Sequence, residues 1–315
     1  MVTGDRGIIL DIVKGVCLSV VIFIAYLQVP LLGMIAGVVA PLPVLYYQLK
    51  SGRWMVGAIA ISAIALILIL VGGMPVAVLY LLQAGLFSVA LPHFLARGHS
   101  VSRALASAVL TVALVATISV AGYGIAAGID LHHQVTIAIK TNLEQTLALY
   151  KAKGASGEDL QFLKEGLRQV GDIFGQIYPA MLLVSLAAVA GINLLILRRF
   201  REGLTVKLPV TPFSSFKNPE HLVWGLIAAG FALLIDNGVV QTVAFNVVVV
   251  AGFLYFLQGL AVVAHFFASY RVPAFFKIFF YVLLLLQAYL VLAVALLGLF
   301  DLWANFRRPR IHENL

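Results

Sequence analysis

Four polar side chains in the last third of the sequence stand among apolar residues, where a polar group costs free energy unless it has a partner or a task. They are Asp236, Asn246, Gln258 and His265. A carboxylate, two amides and an imidazole could bind a polar small molecule through hydrogen bonds. Gln258 and His265 are seven residues apart, which puts them on one face of a helix. We therefore predict these four residues as ligand-binding candidates. The alternatives are a solvated turn for Asp236, which precedes Asn-Gly, and interhelical hydrogen bonds for the others.

Other chemistry-bearing residues are scattered. Gln83, His93 and Asn193 also lie in apolar segments, where a structural hydrogen bond is the more common role. Cys17 is the only cysteine, so no intramolecular disulfide or dithiol reaction is available. The adjacent His132 and His133 point in different directions on a helix and lack an obvious third ligand, so we predict no metal site.

No nucleotide-binding or catalytic motif is present: the sequence contains no GxxxxGK[ST], HExxH or GxSxG. We therefore expect no catalytic residues, no cofactor and no enzyme activity. An intramembrane enzyme would need a cluster of titratable groups at one depth, and the sequence does not assemble one.

Small residues at four-residue spacing predict close helix packing or a partner face. The pairs singled out for this role are Gly33 with Gly37 and Gly124 with Gly128.

The elements that carry these residues follow from the composition. The chain has 315 residues, of which 62% are hydrophobic and 11% charged, and its mean hydropathy is +1.05. Soluble domains are about 25% charged, so this composition excludes a soluble globular or disordered protein. Seven long runs contain no Lys, Arg, Asp or Glu, and a membrane-spanning helix needs roughly 20 apolar residues. We predict an all-α, polytopic transmembrane bundle of eight or nine spans, at 8–28, 31–49, 54–72, 74–96, 101–129, 175–198, 220–236, 239–268 and 275–300.

Basic residues orient these spans, because cytoplasmic loops are enriched in Lys and Arg. The rule puts the N-terminus in the cytoplasm and residues 130–176 on the opposite side of the membrane. We expect this membrane to be the cell (inner) membrane. Nine spans put the basic tail outside, whereas a re-entrant arm at 220–236 gives eight spans and a tail inside; the sequence slightly favours nine.

The formal charge of +8 is explained by insertion into a membrane, and we predict no nucleic-acid binding. We expect Asp11 and Lys14, three residues apart, to pair.

Residues 130–176 predict an extracytoplasmic helical hairpin. A stripe of apolar residues begins at Leu131, Ser156 and Asp159 resemble a capping box, and a heptad-like seam runs from Leu160 to Ile177. Two stripes packed on each other explain the hairpin most simply. The functional alternatives are a cap over an outward-facing cavity and a docking surface for a partner.

The chain thus divides into a six-span bundle over residues 1–200 that includes the hairpin, and three smaller segments. These are a basic cytoplasmic loop at 201–219, two or three further spans at 220–300 and a basic tail at 301–315.

Two stretches resemble known families. Leu32-Gly33, the run Ala40-Pro41-Leu42-Pro43-Val44-Leu45 and the segment from Gly52 to Gly57 resemble the opening of S components of energy-coupling-factor vitamin transporters. Phe200, Lys207-Leu208-Pro209, Trp224, Asn246 and Gln258-Gly259-Leu260-Ala261 resemble the YybS-like family of bacterial polytopic membrane proteins.

The S-component resemblance implies six helices that bind a vitamin or a metal from outside, together with a membrane coupler protein and cytoplasmic ATPases. Residues 1–200 fit six helices, but the later spans and the hairpin depart from that pattern, so no ligand residues are transferred. The leading hypothesis is a small-molecule binding or uptake subunit in the lipid bilayer without its own ATPase. The alternative is a membrane scaffold that recruits partners through residues 130–176 or the basic loop.

Overall fold

The computed structural model describes residues 2–154, 157–206, 208 and 212–307, and every regular element within these ranges is helical. The predicted all-α membrane protein is thus confirmed. Ser156, Lys207, Pro209 and tail residues 308–315 lie outside the described residues. The α-helices are α1 Val2–Gln28, α2 Pro30–Val39, α3 Leu42–Ser51, α4 Trp54–Gly72, α5 Met74–Tyr80, α6 Leu86–Ala96, α7 Val101–Ala127, α8 Leu131–Ala152, α9 Glu158–Arg199, α10 Leu222–Ala232, α11 Gly238–Ser269, α12 Ala274–Leu286 and α13 Ala288–Ala304.

Fewer helices than expected are long enough to cross a membrane. Among the described residues, six apolar segments qualify: Arg6–Gln28, Trp54–Gly72, Met74–Ala96, Val101–Ala127, Glu158–Arg199 and Gly238–Ser269. A seventh is obtained if α12 and α13, which are bent by 109° at their junction, form one broken span. The structure therefore supports six or seven candidate spans, where the sequence predicts eight or nine.

The difference arises at two predicted spans. The span at 31–49 is divided into α2 and α3, each of ten residues, because Pro41 and Pro43 interrupt the helical hydrogen bonds. The span at 220–236 contains only the eleven-residue α10. At 1.5 Å per residue, helices of ten or eleven residues reach about 15–17 Å, roughly half of a hydrocarbon core.

Two compact units make up the chain. The first unit comprises Met1–Gln134 and Leu182–Pro209, and the second comprises Val135–Met181 and Val210–Leu315. In the first unit, one core cluster groups Phe23 of α1, Ile64 and Leu68 of α4 and Tyr80 of α5. A second cluster forms around Leu45 and Leu49 of α3, together with residues from α6, α7 and the last turns of α9.

In the second unit, α11 packs against α13 at two glycines. A Cβ added at Gly259 would lie 1.8 Å from the carbonyl oxygen of Val294, and one at Gly298 would lie 1.9 Å from that of Tyr255. Neither position has room for any side chain. Small residues allow this close approach of helix backbones, which membrane helices use because lipid provides no hydrophobic drive for their association.

The partner of Asp11 is not the one expected. Its Oδ1 lies 2.8 Å from Nζ of Lys50, at the end of α3, instead of pairing with Lys14. The hydrogen bond with Asp11 raises the pKa of Lys50 above its ordinary value. Local spacing cannot anticipate this pair, because its members are 39 residues apart.

The end of α13 lies beside the segment that precedes α10. Nη1 of Arg307 donates hydrogen bonds of 2.9 and 2.8 Å to the carbonyl oxygens of Ser214 and Phe216. Nine complete crossings would put these two regions on opposite sides of the membrane. The contact therefore argues against the nine-span topology that the sequence slightly favours and agrees with an even number of crossings between them.

The predicted hairpin is present as α8 and the first half of α9. The two helices contact each other at Gly171, where an added Cβ would lie 2.5 Å from Cδ1 of Leu143. Nearer the connection they leave an open groove of about 500 Å³, lined by Glu144, Leu147, Ala148, Lys151, Leu160, Gln161 and Lys164.

Candidate functional site

Gln258, one of the predicted ligand residues, belongs to a buried polar network. Its Oε1 accepts a 2.9 Å hydrogen bond from the backbone N–H of Asn218, and its Nε2 donates a 3.0 Å bond to Oδ2 of Asp301. The same carboxylate accepts hydrogen bonds from Arg307 and from the backbone N–H of Phe306. Only 1% of Asp301 is exposed, and its charge is balanced by the guanidinium of Arg307. Every partner of Gln258 in this network is a protein group.

The side-chain amide of Asn246 also forms hydrogen bonds with other protein groups. Its Nδ2 donates to the carbonyl oxygens of Gln176 and Thr242, and its Oδ1 accepts from the N–H of Ala180, each at 2.8 Å. Both amides thus make the interhelical hydrogen bonds that the sequence offered as the alternative. Their ligand-binding role stays a prediction.

Asp236 and His265 lie apart from these networks. Asp236 is exposed in the turn between α10 and α11, where Asn237 caps α11 by accepting from the N–H groups of Val239 and Val240. His265 is half-buried, with Nε2 3.4 Å from the hydroxyl of Ser269 and its ring against Phe266. The structure thus does not bring the four predicted residues together into one site.

The predicted packing glycines have different surroundings. A Cβ at Gly33 would lie 2.5 Å from the carbonyl oxygen of Tyr26, so α1 and α2 meet there with no space between them. Gly124 is buried within α7. Gly128 ends α7 with φ +64°, and nothing lies within 4 Å of an added Cβ. Gly128 is therefore a helix cap in the left-handed conformation, and not a packing position within the chain.

A second polar cluster, inside the first unit, surrounds Gln83. Between α5 and α6 the helix widens into a π-helical turn, Leu81–Gly85, and Gln83 is its central residue. Such turns carry one extra residue and are frequent at functional sites. The Oε1 atom of Gln83 is buried and has no hydrogen-bond partner among the described residues.

Aromatic side chains and one glycine form the surroundings of Gln83. A Cβ at Gly37 of α2 would lie 2.7 Å from the ring of Tyr26 and 3.4 Å from Nε2 of Gln83. The Phe23 ring lies 5.5 Å from that of Tyr26 and 5.1 Å, edge to face, from that of Tyr80. Ser19 and Tyr80 are fully buried, and their hydroxyl oxygens have no hydrogen-bond partner among the described residues. We call Ser19, Phe23, Tyr26, Gly37, Tyr80 and Gln83 the Gln83 cluster.

Two further amide oxygens of the first unit lack partners. Asn193, which is fully buried in α9, donates to the carbonyl oxygens of Val38 and Val189, but its Oδ1 accepts nothing from the described residues. The same is true of Oε1 of Gln48, a buried residue of α3. An unsatisfied buried acceptor costs about 1–3 kcal/mol. The interior of the first unit therefore contains strong acceptors that its own donors do not satisfy.

Sequence reasoning named Gln83 and Asn193 but gave neither priority, and it did not single out Ser19, Tyr26 or Asp301. The sequence does contain a signal for Ser19 and Tyr26. Together with Phe23 they follow a spacing of four and three residues and so share one face of α1. His93 lies in an open groove of about 320 Å³ between α6 and α7, together with Phe94 and Thr111. Neither this groove nor the one in the hairpin includes any of the four predicted ligand residues.

Comparisons with known proteins agree with the fold. A family model described as "Predicted membrane protein (DUF2232)" matches residues 17–302. The "Uncharacterized protein YybS" of Bacillus subtilis (strain 168) is 22% identical over 307 residues, which cover 93% of this chain and 94% of that protein. No solved structure matches. The resemblance to the YybS-like family is thus confirmed, and the chain belongs to the DUF2232 family of predicted membrane proteins.

Proposed function

We propose that this protein is a small-molecule binding subunit of the membrane, with the Gln83 cluster as its binding site and with no catalytic activity of its own. The observation that carries the proposal is the unpaired Oε1 of Gln83 on a π-helical turn. A buried acceptor without a protein donor is costly, and a donor supplied by a ligand removes that cost.

The chemistry of the cluster defines the class of ligand. Its polar atoms are an amide and hydroxyls, and its walls are the rings of Phe23, Tyr26 and Tyr80. None of its members carries a charge at neutral pH. Small-molecule sites in proteins combine such apolar walls with a few polar groups that fix orientation. The ligand we propose is therefore uncharged, donates a hydrogen bond to Gln83 and presents a flat apolar surface to the rings.

The resemblance to S components supports the same reading. It implies uptake together with a membrane coupler protein and cytoplasmic ATPases, with the N-terminus in the cytoplasm of a bacterium and residues 130–176 outside. In this arrangement the exposed face of α7 meets the coupler, because Gly33 and Gly37 are buried against Tyr26 of α1. Ligand roles for Asp236, Asn246, Gln258 and His265 stay a separate prediction from the sequence, and the proposed site does not include them.

Mass spectrometry of the purified protein tests the site. Protein extracted in mild detergent and released under non-denaturing conditions should carry a small molecule, which Gln83→Leu removes. Gln134→Leu, at an exposed position of α8, is the matched control and should keep it. Equal ligand content in both variants, or none in the wild type, contradicts the proposal.

A second candidate, a membrane scaffold, is favoured by one observation on the first half of α9. Phe162 is 86% exposed, and Val170 and Ile173 are also exposed, although this segment precedes the apolar part of the helix. Large apolar side chains in contact with water mark interaction sites. Crosslinking in cells should then recover one stoichiometric partner, and Phe162→Ser should abolish its recovery without affecting the ligand content of the protein.

A further inference from the structure

The helix α9 contains Pro179 near its middle. Proline has no N–H, and its ring clashes with the carbonyl four residues earlier, which here belongs to Gly175. The hydrogen-bond ladder of α9 is therefore weakest in this turn. The boundary between the two compact units also crosses α9 here, between Met181 and Leu182.

A side chain from α11 is inserted into the ladder next to the proline. In a regular helix the N–H of Ala180 donates to the carbonyl oxygen of Gln176. Here that N–H donates to Oδ1 of Asn246, while Nδ2 of Asn246 donates to the carbonyl oxygen of Gln176, both at 2.8 Å. One amide thus bonds to both of the backbone groups that pair with each other in a regular helix.

We propose that Gln176–Ala180 is a hinge in α9 and that Asn246 is the catch that holds it in one of two positions. When Asn246 withdraws, the N–H of Ala180 and the carbonyl oxygen of Gln176 can bond to each other, so neither backbone group is left unpaired. Withdrawal replaces two hydrogen bonds of Asn246 with one backbone bond, while Nδ2 of Asn246 keeps its bond to the carbonyl oxygen of Thr242. Because one hydrogen bond contributes little net free energy, the two arrangements stay close in free energy, as a switching element requires.

The surroundings of the hinge allow movement. Gly175 lies one turn before Pro179, and nothing is within 4 Å of a Cβ added there. The first half of α9 contacts α8 at Gly171, where an added Cβ would lie close to the side chain of Leu143. This inference does not depend on small-molecule binding.

A distance measurement between two spin labels tests the hinge. The labels replace Phe162, near the start of α9, and Val239, near the start of α11, which are 86% and 75% exposed and belong to the same unit. The 17 residues from Phe162 to Pro179 form an arm of about 25 Å. A turn of roughly 25° moves the end of this arm by about 10 Å.

With Asn246 in place, the distance distribution should have a single narrow peak. Asn246→Ala should add a second population displaced by about 10 Å, or broaden the peak by a similar amount. Asn142→Ala is the matched control, because the exposed side-chain amide of Asn142 donates to the carbonyl oxygen of Ala138 in its own helix, and it should leave the peak unchanged. If Asn246→Ala does not yield folded protein, Asn246→Ser serves as the second variant with the same expected result.

The role of the proline is tested by restoring the ladder. Pro179→Ala in the Asn246→Ala background supplies the missing N–H, so the distribution should become narrow again around one distance. An unchanged peak in both Asn246 variants overturns the proposal. A distribution that stays broad in the double variant overturns it as well, because the disorder would then come from lost packing and not from a hinge at Pro179.

Discussion

Two glutamines, the buried Gln258 of the second unit and the half-buried Gln83 of the first, differ in how their amides are satisfied. Gln258 has protein partners for both ends of its amide, in a network that ends on the charged pair of Asp301 and Arg307. Gln83 lies on a π-helical turn, and its Oε1 has no partner among the described residues. Among the described residues, three buried side-chain amide oxygens have no hydrogen-bond partner, those of Gln48, Gln83 and Asn193. All three belong to the first unit.

Polar side chains in an apolar protein can be fully paired with one another or can be left without a partner. A fully paired network fixes which helix faces meet, and losing one of its members leaves buried groups exposed to an apolar environment. An unpaired acceptor costs stability and persists where something outside the fold can pair with it. The second unit thus pairs the amides of Asn246 and Gln258 within the protein, whereas the first contains acceptors that, in the function we propose, pair with a ligand.

The largest effect should follow from breaking the charged pair. Asp301→Ala leaves the guanidinium of Arg307 without a counter-charge, and removing one partner of a buried pair costs about 3–5 kcal/mol. The free energy of unfolding, measured by denaturant titration in micelles, should fall by that amount. Because Arg307→Ala removes the same pair, the double variant should lose much less than the sum of the two single losses. Additive losses would show that the pair is not coupled.

Filling the crossing of α11 and α13 should have the next largest effect. Gly298→Ala places a methyl group 1.9 Å from the carbonyl oxygen of Tyr255, so the helices must separate. Overpacking of this kind costs about 1–3 kcal/mol. Gly225→Ala, at a position with nothing within 4 Å, is the control and should change the free energy of unfolding by less than about 0.5 kcal/mol. Equal effects of the two substitutions would refute the close crossing.

A matched pair of glutamine substitutions tests the comparison itself. Gln258→Leu removes an acceptor from the N–H of Asn218 and a donor from Asp301, so we expect a loss of about 1–2 kcal/mol. Gln83→Leu replaces an unpaired oxygen by an apolar group, so in ligand-free protein the change should be close to zero. Thermal unfolding of both variants checks this order. A larger loss for Gln83→Leu would mean that its amide is structural.

The smallest effect is expected at Asp236. Its carboxylate is exposed in a turn, and an exposed group outside any network contributes less than about 0.5 kcal/mol. Asp236→Asn should leave both the thermal midpoint and the ligand content of the protein unchanged. A loss of ligand would instead make Asp236 part of the site, as the sequence predicts.

The sequence predicts the elements of this fold better than their contacts. Uncharged runs identify the long helices, because lipid requires about 20 apolar residues for a crossing. They do not show which face of a helix is buried, since a helix that meets lipid and other helices is apolar on all sides. Asp11 pairs with Lys50, 39 residues away, and only the fold brings them together. Asp301 and Arg307 are close in the sequence, but no motif marks them as a pair. Pro41 and Pro43 indicate a break within 31–49, whereas the length of the uncharged run indicates a single span. The structure has the break, which separates α2 from α3.

The same reasoning explains the outcome at the candidate site. The sequence identifies Gln83, Asn246 and Gln258 as polar residues in apolar segments, but it cannot show which amides find partners. That depends on the approach of other helices, such as α11 to the turn at Gln176–Ala180. The π-helical turn that carries Gln83 has no sequence signature in this chain.

A density map of the protein in lipid nanodiscs, purified without added ligand, tests the central claim most directly. The account predicts non-protein density among Tyr26, Tyr80 and Gln83, with one atom about 3 Å from Oε1 of Gln83. A map in which Oε1 accepts a hydrogen bond from a protein donor, with no density between the rings, would contradict it.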